Sequence, residues 1–241
     1  MKILLIAGHG QGDPGACALG YQEATLTREV VASLANKLKP YAEVEVFDTS
    51  KNMYKFLKLL TFNFKKYDYV LEVHFNAAAN DKNGNGKTTG TEVLVHTSEK
   101  AVTVEQLIVN NISELGFTNR GVKLRSNLQN MNVCKGKQGV SYALVEVCFI
   151  DDLDDMKLYQ AKKEEVVTAI ADGILKGHGI QKQEKEIKEH KGLTSVNDIV
   201  WELSNRGILS DKALWLKKLE DDSNDYCLAK NFVEYLIEKG I

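Results

Sequence analysis

The chain has 241 residues, 44% of them hydrophobic, which is enough to bury a core in one large domain or in a medium domain with a small one. Its 31 basic and 33 acidic residues leave a net charge of −2 and are mixed along most of the sequence, which predicts no nucleic-acid partner and no binding to anionic lipid. The four cysteines are widely spaced without a Cys-x-x-Cys pair, a pattern that argues against a disulfide framework and a structural zinc site.

The first predicted element is a strand buried on both faces, because residues 3–6 form a short unbroken apolar run that ends at a glycine-rich loop. His9 stands in that loop between Gly8 and Gly10, at the carboxyl end of the strand, where open α/β sheets place their ligands. The loop lacks both the Gly-Lys-Ser/Thr ending of a P-loop and the regular glycine spacing of a dinucleotide-binding loop, so the pattern disfavours phosphate binding.

Predicted helices and strands alternate after this loop. Ser98 is a predicted N-cap for the third helix, and Asp151 and Asp152 are candidates for the cap of the last one. Such an alternation requires crossover connections, so we predict an α/β fold with a mostly parallel sheet. Apolar spacing predicts helices at about residues 23–38, 52–64, 99–115 and 153–176, and strands at 43–47, 69–74, 92–95, 122–124 and 143–147.

The composition changes after Gly179. Residues 181–191 are nearly all Lys, Glu and Gln, which predicts a solvated linker or an exposed helical extension. Three short amphipathic stretches then follow at 195–205, 211–220 and 224–238. The sequence therefore predicts a large α/β domain at 1–180, a charged linker at 181–191 and a small all-helical module at 192–241.

Two histidines and one glutamate are candidate metal ligands. His9 and His74 both follow apolar strands, and neighbouring parallel strands bring such residues to one edge of the sheet. Glu23 begins the helix after the glycine loop and would face the same edge. A catalytic zinc has three such ligands and keeps one position for water. Taken singly, His9 could be a hydrogen-bonding loop residue and Glu23 an acid that favours the start of a helix.

Glu146 is a carboxylate within a predicted strand that otherwise consists of Ala, Leu and Val. Burying a lone carboxylate is costly unless it is paired or functional. A solvent-facing position at the strand end is the alternative. Next to a zinc-activated water, this side chain could accept a proton and pass it to a leaving nitrogen.

Five motifs occur in the order in which a known enzyme family carries them, and together with Glu23 they cover residues 1 to about 177. They are Gly-His-Gly with Asp-Pro-Gly-Ala at 8–16, His-Phe-Asn at 74–76, Gly-Thr-Glu-Val at 90–93, Asn-Arg-Gly-Val at 119–122 and Val-Glu-x-Cys-Phe at 145–149. This series resembles the zinc N-acetylmuramoyl-L-alanine amidases. The resemblance implies a twisted sheet flanked by helices, and hydrolysis of the amide between N-acetylmuramic acid and the L-alanine of the peptidoglycan stem peptide.

By motif, the resemblance implies that His9, Glu23 and His74 hold Zn²⁺ and that Glu146 is the catalytic acid and base. It further implies that three polar residues lie near the substrate groove. Many members of the family have Glu-x-Gly-Phe here, followed by a small residue and Asn. The residues after Glu146 depart from this pattern, so the adjoining pocket is expected to differ. The three groove residues are Asn76, Asn119 and Arg120.

The N-terminal apolar run is too short for a signal peptide, and no stretch approaches the ~20 apolar residues of a membrane span. A catalytic domain followed by a small C-terminal module, without a signal peptide, is similar to the layout of phage or prophage endolysins. Those enzymes are made in the host cytoplasm and act at the wall after release. Residues 196–201 resemble part of the C-terminal modules of clostridial lysins, so the module is expected to bind the cell wall or to form a homo-oligomer. A zinc peptidase of stem peptides and a non-catalytic wall-binding protein remain alternatives.

Overall fold

The computed structural model describes residues 1–181 and, beyond them, Val200, Leu203 and Ser204. The chain divides into two units, Met1–Lys182 and Gln183–Ile241, and the elements below belong to the first. Apart from these few residues, the predicted linker and C-terminal module lie outside the described part of the chain. The predicted division into domains therefore stays a prediction.

The core of the first unit is a twisted α/β arrangement with one large sheet. Its strands are β1 (Lys2–Ala7), β2 (Cys17–Ala18), β3 (Tyr21–Gln22), β4 (Glu43–Val46), β5 (Tyr69–Asn76), β6 (Thr91–His96), β7 (Asn119–Arg125) and β8 (Ser141–Phe149). Six of them form the sheet in the order β4-β1-β5-β8-β6-β7, and β2 and β3 form a separate hairpin. Neighbours in the sheet are parallel except β6 and β8. The predicted mostly parallel sheet is confirmed.

The four predicted helices occur in the predicted order, three of them with different bounds, and a further short helix after β7 was not predicted. They are α1 (Glu23–Leu38), α2 (Met53–Leu59), α3 (Thr103–Glu114), α4 (Gln129–Met131) with a π-helical continuation (Asn132–Lys137), α5 (Leu153–Ala161) and α6 (Lys163–Gly177). The predicted helix at 52–64 ends early, because Leu60 is extended with a ψ of 159°. The predicted helix at 153–176 is two helices, because Lys162 has a non-helical φ of −130° and ψ of 30°. Among the described residues, no helix has both the length and the apolar character needed to cross a membrane.

One of the two predicted caps is present. The Asp152 side chain caps α5 by accepting hydrogen bonds from the backbone N–H groups of Asp154 and Asp155. The predicted cap of α3 is wrong, because that helix begins only at Thr103. The hydroxyl of Ser98 instead lies 2.7 Å from Nδ1 of His96, at the end of β6.

The two faces of the sheet bury different sets of side chains, because neighbouring residues of a strand point to opposite faces. Ile3 and Leu5 of β1 pack with apolar residues of α1, α3 and α6. Leu4 and Ile6 pack on the other face, in a smaller cluster that includes Met53 of α2. Burying each of these side chains stabilises the fold by about 1.5–3 kcal/mol. On the second face, polar residues replace the apolar ones towards the carboxyl ends of β5 and β8, and the candidate site lies there.

Candidate metal and catalytic site

The loop after β1 holds His9 in a left-handed backbone conformation with a φ of 63°. This conformation costs a non-glycine residue about 1–3 kcal/mol, so the surrounding structure must stabilise it. Arg28 of α1 donates hydrogen bonds to the carbonyl oxygens of Gly8 at 3.3 Å and His9 at 3.4 Å. Gly8 is also required for space, since a Cβ there would lie 2.5–2.7 Å from three atoms of the His74 ring. The loop is therefore fixed between α1 and β5.

Glu23 bridges the two candidate imidazoles. Its Oε2 lies 3.0 Å from Nε2 of His9, and its Oε1 lies 2.9 Å from Nδ1 of His74. Oε2 also accepts a hydrogen bond from the Ala16 N–H, and Oε1 accepts one from the Phe75 N–H. One ligand atom from each of His9, Glu23 and His74 lies within 4.8 Å of the other two. The structure thus gathers the three predicted ligands into a candidate metal site.

The electrostatics of this cluster keep Glu23 ionised. Burial favours the neutral acid, but hydrogen bonds from His74 and His9 outweigh burial and hold the pKa of Glu23 well below its ordinary value. A carboxylate that stays charged at neutral pH, flanked by two imidazole nitrogens, is a donor set suited to a divalent cation.

The ring nitrogens that face away from Glu23 meet two further carboxylates. Nδ1 of His9 lies 3.1 Å from Oδ2 of Asp13, and Nε2 of His74 lies 3.1 Å from Oε1 of Glu72. Metal-binding imidazoles in proteins are commonly oriented by such outer carboxylates. Our sequence reasoning missed both residues. Glu72 carried the same signal as Glu146, a glutamate within an apolar strand.

Glu146 lies beside this cluster because β8 pairs with β5, which sets Glu146 directly opposite His74. Its Oε2 is buried and has no hydrogen-bond partner among the residues that the structure describes. Burial raises the pKa of Glu146 to about 7, against the opposing effect of His74. A carboxyl group with a pKa near neutrality can both accept and donate a proton.

Two of the three predicted groove residues contact Glu92, the neighbour of Glu146 in the sheet. Glu92 of β6 is the register partner of Glu146 on its other side. Asn76 donates a hydrogen bond to Glu92 at 3.1 Å, and Arg120 donates one at 2.9 Å. Lys123 forms a second ion pair with Glu92 at 2.9 Å. This face of the sheet therefore carries a carboxylate that two cations neutralise, next to a carboxyl group that has a raised pKa.

Asn119, the third predicted groove residue, is bonded elsewhere. Its side-chain amide donates to Asn110 at 3.0 Å and to Ser113 at 3.3 Å, both on α3. The side-chain oxygen Oδ1 of Asn119 accepts a hydrogen bond from the Gly121 N–H, which shapes the start of β7. The structure does not bring Asn119 together with the other candidate residues.

A cavity of about 320 Å³ opens beside the two imidazoles. Its lining includes His9, His74, Glu72 and the ring of Tyr54, and the segment 127–130 after β7 forms another part of its wall. Tyr54 is 46% exposed, so this aromatic ring is available at the edge of the cavity. The candidate metal site therefore faces a space open to a substrate.

Comparisons with known proteins identify a family that the chain matches. A family model described as N-acetylmuramoyl-L-alanine amidase matches residues 3–176. The chain is 30% identical over 172 residues to the probable autolysin PH of Staphylococcus aureus, covering 64% of this chain and 34% of that protein. It is also 30% identical over 186 residues to the endolysin of Bacillus phage SPP1, covering 73% of this chain and 64% of that protein.

A solved structure resembles the fold as well. The catalytic domain of the CD27L endolysin targeting Clostridia difficile is 26% identical, with a TM-score of 0.59, and the match covers 73% of this chain and 97% of that one. The chain spans less than two thirds of the length of either curated relative.

Proposed function

Because the chain belongs to the N-acetylmuramoyl-L-alanine amidase family, we propose that it hydrolyses the amide bond between N-acetylmuramic acid and L-alanine in peptidoglycan. In this proposal His9, Glu23 and His74 bind a zinc ion. Glu146 transfers the protons. The observation that carries the proposal is the convergence of two imidazoles and an ionised carboxylate opposite a buried carboxyl oxygen that has no partner among the described residues.

The residues present fit a zinc ion. Imidazole nitrogen and carboxylate oxygen are ligands that zinc prefers, and three protein ligands leave a position open. Asp13 and Glu72 each contact the ring nitrogen that faces away from Glu23. The other nitrogen of each imidazole therefore points towards Glu23 and the candidate metal position. When bound, zinc acts as a Lewis acid that polarises a carbonyl oxygen and makes a nearby water more acidic.

Glu146 has the position and the acidity for proton transfer in both directions. Its free Oε2 can accept a proton as water adds its oxygen to the carbonyl carbon of the lactyl group. The same carboxyl, with a pKa of about 7, can then donate that proton to the nitrogen of L-alanine as the carbon–nitrogen bond breaks. The products are a free lactyl carboxylate and a stem peptide that begins with an amine.

Asn76 and Arg120 are proposed to line the substrate groove, because both contact Glu92 next to Glu146. The side chain of Asn119 is bonded to α3 and has no part in this proposal. Glu92 orients both groove residues, so their polar groups approach a substrate from a fixed position.

Digestion of purified peptidoglycan tests the reaction. The zinc-loaded protein is expected to release new amino termini that are all L-alanine, because only cleavage next to muramic acid exposes that residue. End-group labelling followed by mass spectrometry identifies the termini. New amino groups on other residues would establish a stem-peptide peptidase instead, and binding without any release would establish a non-catalytic wall-binding protein. Chelator-treated protein serves as the matched control.

We propose further that the chain acts as an endolysin, made in the host cytoplasm and active at the wall after release. The similarity to the SPP1 endolysin over 73% of the chain supports this, while the similarity to a probable autolysin keeps an autolytic role as the second candidate. In this proposal residues 1–180 carry the activity, residues 181–191 form a linker, and residues 192–241 bind the wall or form a homo-oligomer.

Truncation after Lys182, the boundary of the first unit, tests the proposed division. The shortened chain is expected to fold and to cleave soluble peptidoglycan fragments at the rate of the full chain, since all candidate site residues precede the cut. It should sediment less with intact cell walls. Unchanged sedimentation would remove wall binding as the role of the module. An unchanged number of chains per particle, measured by analytical ultracentrifugation, would remove oligomerisation.

A further inference from the structure

Glu72 is a buried carboxylate that the proposed reaction does not use. It precedes His74 by two residues on β5, so both side chains project from the same face of the sheet. Glu72 is only 4% exposed, and its nearest polar neighbour in the candidate site is the His74 ring. An isolated charge in such a position is strongly unfavourable, so other groups must stabilise the Glu72 carboxylate.

Three side chains from different segments converge on the Glu72 carboxylate. Nε2 of His74 lies 3.1 Å from Oε1. The amide of Asn130, on α4, donates to both carboxylate oxygens at 3.0 Å. The hydroxyl of Tyr142, on β8, donates to Oε2. Asn130 and Tyr142 are 7% and 1% exposed, so the group is largely buried, in the wall of the cavity beside the two imidazoles.

The contact with Glu72 holds a proton on Nε2 of His74. An ionised carboxylate only accepts hydrogen bonds, so Nε2 must be the donor to Glu72. Nδ1, the nitrogen that lies 2.9 Å from Glu23, also faces a carboxylate and donates to it when it carries a proton. A cation bound between Nδ1 and Glu23 would replace that proton and leave a neutral ring whose remaining proton is on Nε2. That tautomer directs the ligand atom of His74 towards the candidate metal position.

We propose that Glu72 is a positioning residue for the metal site. Its carboxylate, oriented by Asn130 and Tyr142, holds His74 in the tautomer and ring orientation that bind the ion. This inference rests on the zinc site proposed above. The corresponding contact of His9 is more exposed, since the Asp13 side chain is 33% exposed and the Glu72 side chain 6%. Water therefore screens the His9 contact more strongly than the His74 contact.

The test compares the zinc affinity of two glutamine variants with that of the full wild-type chain. Glu72→Gln should weaken zinc binding by about 10–100-fold, measured by competition with a chromophoric chelator. Glu105→Gln is the matched control, because Glu105 is a 3% exposed carboxylate that also accepts a hydrogen bond from a tyrosine hydroxyl, that of Tyr69. Its variant should bind zinc as the wild type does.

A second measurement reports on His74 directly. Nitrogen-15 spectra of the zinc-loaded wild type should show His74 protonated at Nε2. In the binding experiment, Tyr142→Phe should weaken zinc binding less than Glu72→Gln does, because the Glu72 carboxylate remains. Wild-type affinity in a folded Glu72→Gln variant, or a proton on Nδ1 of His74 in the zinc-loaded wild type, would overturn the inference while leaving the amidase proposal intact. A wild type that releases no L-alanine and binds no zinc would overturn both.

Discussion

Replacing Glu146 with glutamine is expected to lower kcat by about 10²–10⁴-fold without changing the fold or the zinc content. Glutamine has nearly the same size but cannot accept a proton from water or return it to a leaving nitrogen. The fold should tolerate the change, because Oε2 of Glu146 makes no hydrogen bond within the described residues. Steady-state kinetics on soluble peptidoglycan fragments, with metal analysis of the same samples, provide the measurement.

Glu92→Gln is the informative control for that prediction. Glu92 is the register partner of Glu146 on the adjacent strand, but Arg120 and Lys123 already neutralise it. Its loss should act mainly on KM, because it orients Arg120, and should lower kcat far less than Glu146→Gln does. Near-normal turnover of Glu146→Gln would rule Glu146 out as the proton-transfer group.

Most of the fold follows from local pattern, because apolar runs and helical spacing are properties of short segments. The direction of β6, in contrast, does not follow from local pattern. Alternating strands and helices are compatible with an all-parallel sheet, and only the pairing with β8 shows that β6 runs the other way. The break between α5 and α6 is also non-local. Apolar spacing continues through Lys162, but its Nζ donates to the carbonyl oxygen of Leu115, 47 residues earlier.

The gathering of His9, Glu23 and His74 could be predicted from their places at the ends of elements that share one edge of the sheet. His9 lies in the loop after β1, His74 lies near the carboxyl end of β5, and Glu23 begins α1. The groove residues were harder. Asn119 and Arg120 are neighbours on β7, so the alternation of side chains allows only one of them to face Glu146. Which one does depends on the register shift between β6 and β7, which has no local sequence signal.

The wild-type chain is expected to bind one zinc ion, and Glu23→Gln is expected to reduce the bound zinc to near zero together with the activity. Glu23 is the shared neighbour of both imidazoles, and it is the charged group of the proposed ligand set. Zinc should also raise the unfolding temperature of the wild type by mass action, and should leave that of the variant unchanged. Elemental analysis and calorimetry measure the two effects.

Glu29→Gln is the control for this experiment, because Glu29 lies on the same helix but is 49% exposed and pairs only with Lys163 among the described ion pairs. A surface pair of this kind contributes about 0–1 kcal/mol, so the control should keep its zinc, its activity and nearly all its stability. Dialysis against a chelator should abolish wild-type activity, and added zinc should restore it in the wild type and in Glu29→Gln alone. An active metal-free preparation, or a Glu23→Gln variant with a full zinc content, would contradict the three-ligand site.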